Sequence, residues 1–510
     1  MPEDVRPRVR LFGELLAHWA RERPGDTALI FGDRQWSWAE FDERVRRLSG
    51  ALSAAGVGKG DRVAFLDKNH PACLETTFAA AGIGAANAVV NWRLSGDELA
   101  YVLNDSGAKV VFAGAELLPV LDTIRDRLPA VERVVVVDEY ESFLTSAAPH
   151  AGTDVDADDG VLVMYTSGTT GFPKGAVLTH RSVLAHGLAA GTAFPIGPGD
   201  VNLVAMPLFH VGGSCYAVSG FLYGEPSYLT REPDAASLFA ALQAGITHAF
   251  LVPAVVAGIA QGGEAALKAF SRLKYLCYGA SPMPLPLLRT VLAAWPDVKF
   301  AQVYGMTELS GAVTALDPDA HRDPTRPERL ASAGTALSGV DIRIVDPVTG
   351  DDAEVGEVWV RTEQRMAGYL GKPEATAETI VDGWVRTGDV GRLDDGGFLF
   401  LEDRVKDMII TGGENVYSPE VERVVAEFPG VAEVAVIGIP DDKWGEQVKA
   451  VVAGDQLDAG KIVEFCRERL AHYKCPRSVD VVDALPRNAT GKILKRSLRE
   501  PYWRDRDRNV

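Results

Sequence analysis

The sequence predicts an α/β protein. Residues 1–403 read as a large N-terminal domain of two α/β sheet subdomains plus a small β-rich subdomain, and residues 404–510 as a small α+β C-terminal domain. Three observations predict this. From Thr27 to about Val136, and again from Gly160 to about Pro318, short apolar runs alternate with amphipathic helical stretches, as layered strands and helices require. Beyond Ser332, GTALSGVDIRIVD and GEVWVRT alternate with period two between Gly and Asp turns, the mark of half-buried strands. After Arg404 the remaining stretch of roughly 100 residues mixes both periods at an ordinary domain size.

Taken in order, the N-terminus MPEDVRPRVRLFGELLAHWA mixes charges with apolar residues and has neither a signal-peptide core nor a cleavage site. Trp38 to Ala55 has helical spacing, and GDRVAFL at Gly60 to Leu66 follows as a strand. Leu74 to Ala86 reads as a packed helix rich in small residues, followed by the apolar run Ala88 to Val90 and the polar step Asn91 to Arg93. A helix over Gly96 to Ser106 and a strand over Lys109 to Phe112 come next. In the tail, a hairpin or loop precedes a helix that opens at Ser418 with Pro419 at its first position, where a missing N–H costs nothing. Strands at Val431 to Ile437 and Glu446 to Val452 and a helix from about Ala459 to Tyr473 complete it.

Composition bounds the function. At 510 residues the chain accommodates about three or four packing units, and 47% hydrophobic with 24% charged residues is a soluble globular balance. A net charge of −18 argues against nucleic-acid binding by general electrostatics, so an anionic substrate must be met by local cations and loop dipoles. The five cysteines, Cys73, Cys215, Cys277, Cys466 and Cys475, are odd in number and lack metal spacing, which fits packing roles in a reducing compartment. The apolar stretch Leu251 to Ala260 is shorter than the ~18 residues of a membrane span and contains Pro253. A cytoplasmic protein is expected, with peripheral membrane contact left open and no oligomeric state specified.

The most informative stretch is VMYTSGTTGFPKG, Val163 to Gly175. Thr166, Ser167, Thr169 and Thr170 offer hydroxyls, Gly168 and Gly171 let backbone N–H groups turn toward one anion, and Lys174 supplies a cation. A polyphosphate suits such a loop. A Walker A loop needs Gly directly before the Lys and Ser or Thr directly after it, where this chain has Pro173 and Gly175. Composition alone also fits an ordinary surface turn.

Other motifs decide between these. VMYTSGTTGFPKG, YGMTE at Tyr304 to Glu308, WVRTGD at Trp384 to Asp389, DRVKDMIITGGENVYSPEVE at Asp403 to Glu422 and PRNATGK at Pro486 to Lys492 resemble, in that order, the signatures of acyl-adenylate-forming enzymes. The match covers nearly the whole chain and is most similar to short bacterial fatty acyl-CoA synthetases, with coumarate-CoA and other aryl-CoA ligases as near relatives. The resemblance implies ATP, Mg²⁺ and coenzyme A as cofactors and a small-molecule carboxylic acid as substrate: acyl-AMP and pyrophosphate form first, then CoA displaces AMP.

Residue roles follow from the resemblance and suit the chemistry. A carboxylate is already ionised at neutral pH, so its attack on the α-phosphate needs cations rather than a base. Glu308 is implied as the Mg²⁺ ligand, an economy Mg²⁺ allows because substrate phosphates complete its shell. Thr307 is implied on the α-phosphate, Tyr304 against adenine, and Gln302 and Gly305 in the same nucleotide pocket. Asp389 is implied on the ribose hydroxyls, with Arg404 as a second contact; alone, a TGD triplet reads as an Asx turn. Lys492 is implied to carry adenylation by neutralising charge on the attacked phosphate, and Lys406 to be the hinge of a mobile C-terminal domain. After rotation, Gly412, Gly413 and Glu414 are implied along the pantetheine path.

His210 in MPLFHVGG aligns with the mouth of the acyl site, and Gly279, Ala280 and Ser281 in YGASPM with the small-residue segment between adenine and acyl tunnel. By themselves these are a core histidine and a tightly packed strand end. Departures narrow the class. Ile410 stands where plant coumarate-type ligases carry Lys, the Asp that holds a substrate amine is not evident around Phe209 to Gly213, and Arg508-Asn509-Val510 lacks a peroxisomal address. The expectation is a fatty acid-CoA ligase, with an aryl-CoA ligase and a non-catalytic nucleotide-binding paralogue as alternatives.

Overall fold

The structure, a computed structural model, describes residues 7–150, 152–166, 172–281, 283–347, 349–404, 407, 409–411, 414–416, 418–441, 444–487 and 493–504. Two compact units emerge. One comprises residues 1–341 and 360–385, the other 342–359 and 386–510, and the chain passes between them within the strands Val340–Val345, Gly356–Thr362 and Trp384–Leu393.

The first unit holds two sheets. A nine-stranded sheet runs in the order Thr335–Ala336, Gly311–Leu316, Lys299–Met306, Tyr275–Gly279, His248–Leu251, Asn202–Val204, Ser227–Leu229, Thr27–Phe31, Arg34–Ser37. A seven-stranded sheet runs Gly368–Tyr369, Lys174–Thr179, Gly160–Thr166, Ala86–Val89, Arg62–Leu66, Val110–Ala113, Arg133–Val136. The central strands of both are parallel and buried, which is why they read as continuous apolar runs rather than alternating ones.

Sheet membership does not follow the two sequence blocks. The hairpin at 160–179 pairs with Ala86–Val89 of the earlier block, and the early hairpin at 27–37 pairs with Ser227–Leu229 of the later one. Periodicity marks a strand but carries nothing about its hydrogen-bonding neighbour, so the two sequence blocks do not coincide with the two sheets. Between the strands, helices Phe12–Glu22, Trp38–Ala54, Pro71–Ala81 and Val211–Leu222 pack an aromatic core of Phe12, Trp19, Trp38, Phe41, Phe78 and Phe221. Trp19 Nε1 donates to the Phe221 carbonyl at 2.8 Å, which satisfies that residue's indole N–H.

Two helix boundaries differ from expectation. The helix expected over Leu74 to Ala86 spans Pro71–Ala81, because His70 caps it by accepting the Ala72 N–H and Pro71 sits at the first position. In the second unit, the helix expected to reach Tyr473 stops at Arg467. Its apolar stripe ends at Cys466, whose carbonyl accepts the N–H groups of Arg469 and Leu470, and Tyr473 is exposed. The helix Ser418–Ala426 opens where expected and packs with strands Val431–Asp441 and Gly445–Gly454 around Val421, Val425, Val436, Val448 and Ile462. All five cysteines are buried.

Four histidines, of which His180, His186 and His321 are buried and His70 is half-buried, are expected to make the first unit acid-sensitive. Burial lowers His70, His180, His186 and His321 from 6.5 to about 4. The unfolded chain therefore binds more protons between these values, and stability present above pH 6.5 is lost as pH falls toward 4. The denaturation midpoint is expected to fall steadily over that window; a flat profile in chemical denaturation would contradict it.

Candidate active site

Parallel strands of both sheets present their carboxyl ends to the same region of the first unit. After Arg62–Leu66, Asn69 reaches the loop that follows Asn202–Val204: its Nδ2 donates to the Met206 carbonyl at 3.0 Å and its Oδ1 accepts the Leu208 N–H at 2.8 Å. Arg231, after Ser227–Leu229, bonds Asp67 at 2.9 Å. Open α/β sheets bind ligands beyond the carboxyl ends of their strands, and here two such edges are stitched together.

Two of the phosphate-loop candidates, Thr166 and Lys174, sit on this edge. Thr166 ends one strand and Lys174 begins its antiparallel partner, in register with each other; Ser167, Gly168, Thr169, Thr170 and Gly171 lie outside the described residues. The base of the hairpin is clamped from behind. Tyr165 donates to Asp105 at 2.9 Å, Lys372 bonds the other Asp105 oxygen at 2.7 Å, and Tyr101 donates to the Pro173 carbonyl at 3.1 Å while stacking on Phe172.

Glu308 approaches from the other sheet. It lies in the short turn Thr307–Leu309 after Lys299–Met306, and Ser310 closes the turn at φ 57, a left-handed conformation held by its hydroxyl donating to the Gln364 carbonyl at 2.7 Å. Glu308 is 6% exposed and accepts the Tyr369 hydroxyl at 2.6 Å on Oε1. The Lys174 ammonium lies 4.5 Å from the centroid of the same tyrosine ring. Burial and the Glu308 charge hold the Tyr369 phenol well above its ordinary value, so it remains a donor.

Tyr304, Gln302 and Gly305 share one strand, antiparallel to Gly311–Leu316. A Cβ on Gly305 would lie 1.8 Å from the Gly311 carbonyl oxygen, so only glycine permits this close approach. Gly279 is in register with Val303 next to Tyr304, and Ala280 turns away at φ 64 with Ser281 behind it. The segment expected beside the nucleotide therefore leaves the sheet at the same edge as Tyr304. His210 caps the helix Val211–Leu222 and its ring lies 4.4 Å from that of Phe209, over which Arg93 is placed at 5.8 Å.

In the second unit, Asp389 is 9% exposed, and its N–H donates to Thr387 Oγ1 at 3.1 Å. It lies in direct cross-strand register with Arg404 on Leu399–Arg404, neighbours 15 residues apart joined by a hairpin. Buried Glu357 braces this strand by accepting from Gly388 N–H and pairing with Arg386. Glu414 lies in the hairpin Ile409–Thr411/Glu414–Val416; Lys406, Gly412, Gly413 and Lys492 are outside the described residues.

The structure thus brings Lys174, Glu308, Thr307, Tyr304 and Gly279 to one edge, and sets Asp389 beside Arg404. Sequence reasoning missed Tyr369, Asn69 and the Asp105 clamp. None carries a spacing signature; Tyr369 follows a period-two strand and reads as a packing residue. Among the described residues no three His, Cys, Asp or Glu side chains gather as a metal cage. Nor is any helix there long and apolar enough to cross a membrane.

The sequence model of AMP-binding enzymes matches residues 16–370, and that of the AMP-binding enzyme C-terminal domain residues 420–492. The chain is 37% identical to a fatty acid–[acyl-carrier-protein] ligase of Streptomyces coeruleorubidus over 99% of both chains. It is 37% identical to a long-chain-fatty-acid–CoA ligase of Mycobacterium tuberculosis, over 92% of this chain and 94% of that one. A feruloyl-CoA synthase of Amycolatopsis is 39% identical over 95% and 97%. Among solved structures, the Mycobacterium tuberculosis fatty acyl CoA synthetase superposes with a TM-score of 0.78 at 36% identity over 97% and 98%. The o-succinylbenzoate CoA synthetase of Bacillus subtilis, solved with ATP and a magnesium ion, does so at 0.84 with 30% identity over 95% and 98%.

Proposed function

Because the chain belongs to the AMP-binding enzyme family and is an acid–thiol ligase of that family, we propose that it joins a fatty or similarly apolar carboxylic acid to coenzyme A in two steps. The observation that carries this reading is the placing of Lys174 and Glu308 on either side of Tyr369 at the end of the Thr166/Lys174 hairpin. A cation and a single buried carboxylate at one strand edge suit a metal-bound nucleoside triphosphate and little else.

In the first step a carboxylate oxygen of the acid attacks the α-phosphorus of ATP and pyrophosphate leaves. Lys174 and the loop hydroxyls hold the departing phosphates, and Thr307 donates to the α-phosphate. Glu308 would hold Mg²⁺, whose charge would offset that of the phosphates. Tyr304 and Gly279 to Ser281 flank the adenine, Asp389 and Arg404 hold the ribose, and Lys492 stabilises the charge on the attacked phosphate. In the second step the domain from Arg404 onward reorients about Lys406. Gly412, Gly413 and Glu414 then line the path of CoA, the thiol loses its proton as sulfur attacks the acyl carbonyl, and AMP leaves. His210 stands at the acyl mouth.

Two relatives define the alternatives. The feruloyl-CoA synthase favours an aryl acid, and the acyl-carrier-protein ligase favours a protein-borne thiol as acceptor. A pyrophosphate-release assay across fatty acids of graded length and several aryl acids, with either CoA or holo-acyl carrier protein, separates them. The expected result is AMP with no ADP, fastest for a fatty acid with CoA. Preference for ferulate-type acids, or transfer to the carrier alone, would replace the corresponding half of the reading, and no pyrophosphate with any acid would overturn it.

A further inference from the structure

The contact between Lys174, Tyr369 and Glu308 has a role beyond proximity. We propose that Tyr369 is a positioning residue that keeps Lys174 and Glu308 from pairing with each other, holding the cation for phosphate and one carboxylate oxygen for the metal. This rests on the reading of Lys174 and Glu308 as phosphate and Mg²⁺ ligands.

An ammonium and a buried carboxylate at one strand edge attract each other strongly where water is scarce, and a direct pair would neutralise both. Tyr369 intervenes with two different faces. Its ring takes the Lys174 ammonium at 4.5 Å, and its hydroxyl donates to Glu308 Oε1 at 2.6 Å. A cation–π contact is weaker than a buried ion pair, so it seats the ammonium without retaining it against a polyphosphate. The hydroxyl engages one oxygen of Glu308, Oε1.

The tyrosine is itself held by both partners' backbones. Leu370 N–H donates to the Gly175 carbonyl at 2.8 Å and Ala367 N–H to that of Val177 at 2.9 Å, so the segment runs as a strand beside Lys174. Met366 N–H donates to the Glu308 carbonyl at 2.8 Å, and Tyr369 N–H to Thr376 Oγ1 at 2.9 Å. One five-residue strap, Met366 to Leu370, therefore registers the lysine strand and the glutamate turn together. The ring is 8% exposed and has no slack to leave.

Calorimetric binding of ATP with Mg²⁺ and of AMP without metal, on the full-length protein, tests the proposal. Tyr369→Phe retains the ring and loses the hydroxyl: Mg²⁺–ATP affinity is expected to fall about tenfold, the effect of losing one hydrogen bond to a charged group, while AMP binding stays unchanged and reports an intact fold. Tyr369→Leu loses both faces and is expected to bind Mg²⁺–ATP more weakly still. Glu308→Gln is the control, and Tyr369→Phe should add little to it in the double variant because both act on one ligand oxygen. Full additivity, or wild-type Mg²⁺–ATP affinity in Tyr369→Phe while Glu308→Gln is impaired, overturns the tyrosine's role and leaves the metal-ligand reading standing. Glu308→Gln with unaltered Mg²⁺ dependence overturns that reading and the proposal with it.

Discussion

Lys492→Ala is expected to cut acyl-adenylate formation by ~10²- to 10³-fold, the usual cost of removing one charge-stabilising group from an attacked centre, while leaving conversion of synthetic acyl-AMP to thioester near wild type. In the proposed mechanism the first half-reaction brings an anionic carboxylate to an anionic phosphate, and Lys492 of the C-terminal domain offsets the charge as it concentrates. In the second half-reaction no phosphate is attacked, so the same lysine has nothing to stabilise. Pyrophosphate release with acid and ATP reads the first step, and CoA-dependent AMP release from synthetic acyl-AMP reads the second. Equal loss in both would mean that Lys492 supports the fold or a shared surface, and the two-arrangement mechanism would lose its main support.

Arg44→Ala is expected to destabilise the protein by about 3–5 kcal/mol, because it strands a buried carboxylate. Glu75 is fully buried, and Arg44 grips both of its oxygens, Nε at 2.5 Å and Nη2 at 3.1 Å, while its remaining reach goes to Glu141. Arg44 itself is only 17% exposed. Glu141, half exposed, can rehydrate and contributes little. The denaturant midpoint should drop at unchanged slope. The double variant Arg44→Leu/Glu75→Leu is expected to recover most of the loss, since an apolar pair of similar volume carries no stranded charge. A single variant as stable as wild type would contradict this.

These two predictions draw on different kinds of information. Lys492 is legible in sequence because PRNATGK keeps a fixed order after DRVKD, and the role follows from resemblance to a family. The Arg44–Glu75 pair joins residues 31 apart on two helices whose packing no local pattern specifies. Asp389 and Arg404 occupy an intermediate position: each was singled out by motif, and the hairpin register places them side by side. Helix starts at Ser418 and Trp38 were legible from caps and spacing, whereas the end at Arg467 depended on which residues still met a core.

The sequence by itself determined the fold class, the order of the chemical motifs and the family, because periodicity, turn residues and the spacing of hydroxyls, glycines and charges are local properties of the chain. Only the tertiary structure decided which sheet each hairpin joins, that Asn69 binds the two strand edges together, and that Tyr369 stands between Lys174 and Glu308. Those are contacts between residues 61 to 198 positions apart. They arise from hydrogen-bonding partners and buried faces chosen across the whole chain, for which no single stretch carries a signal.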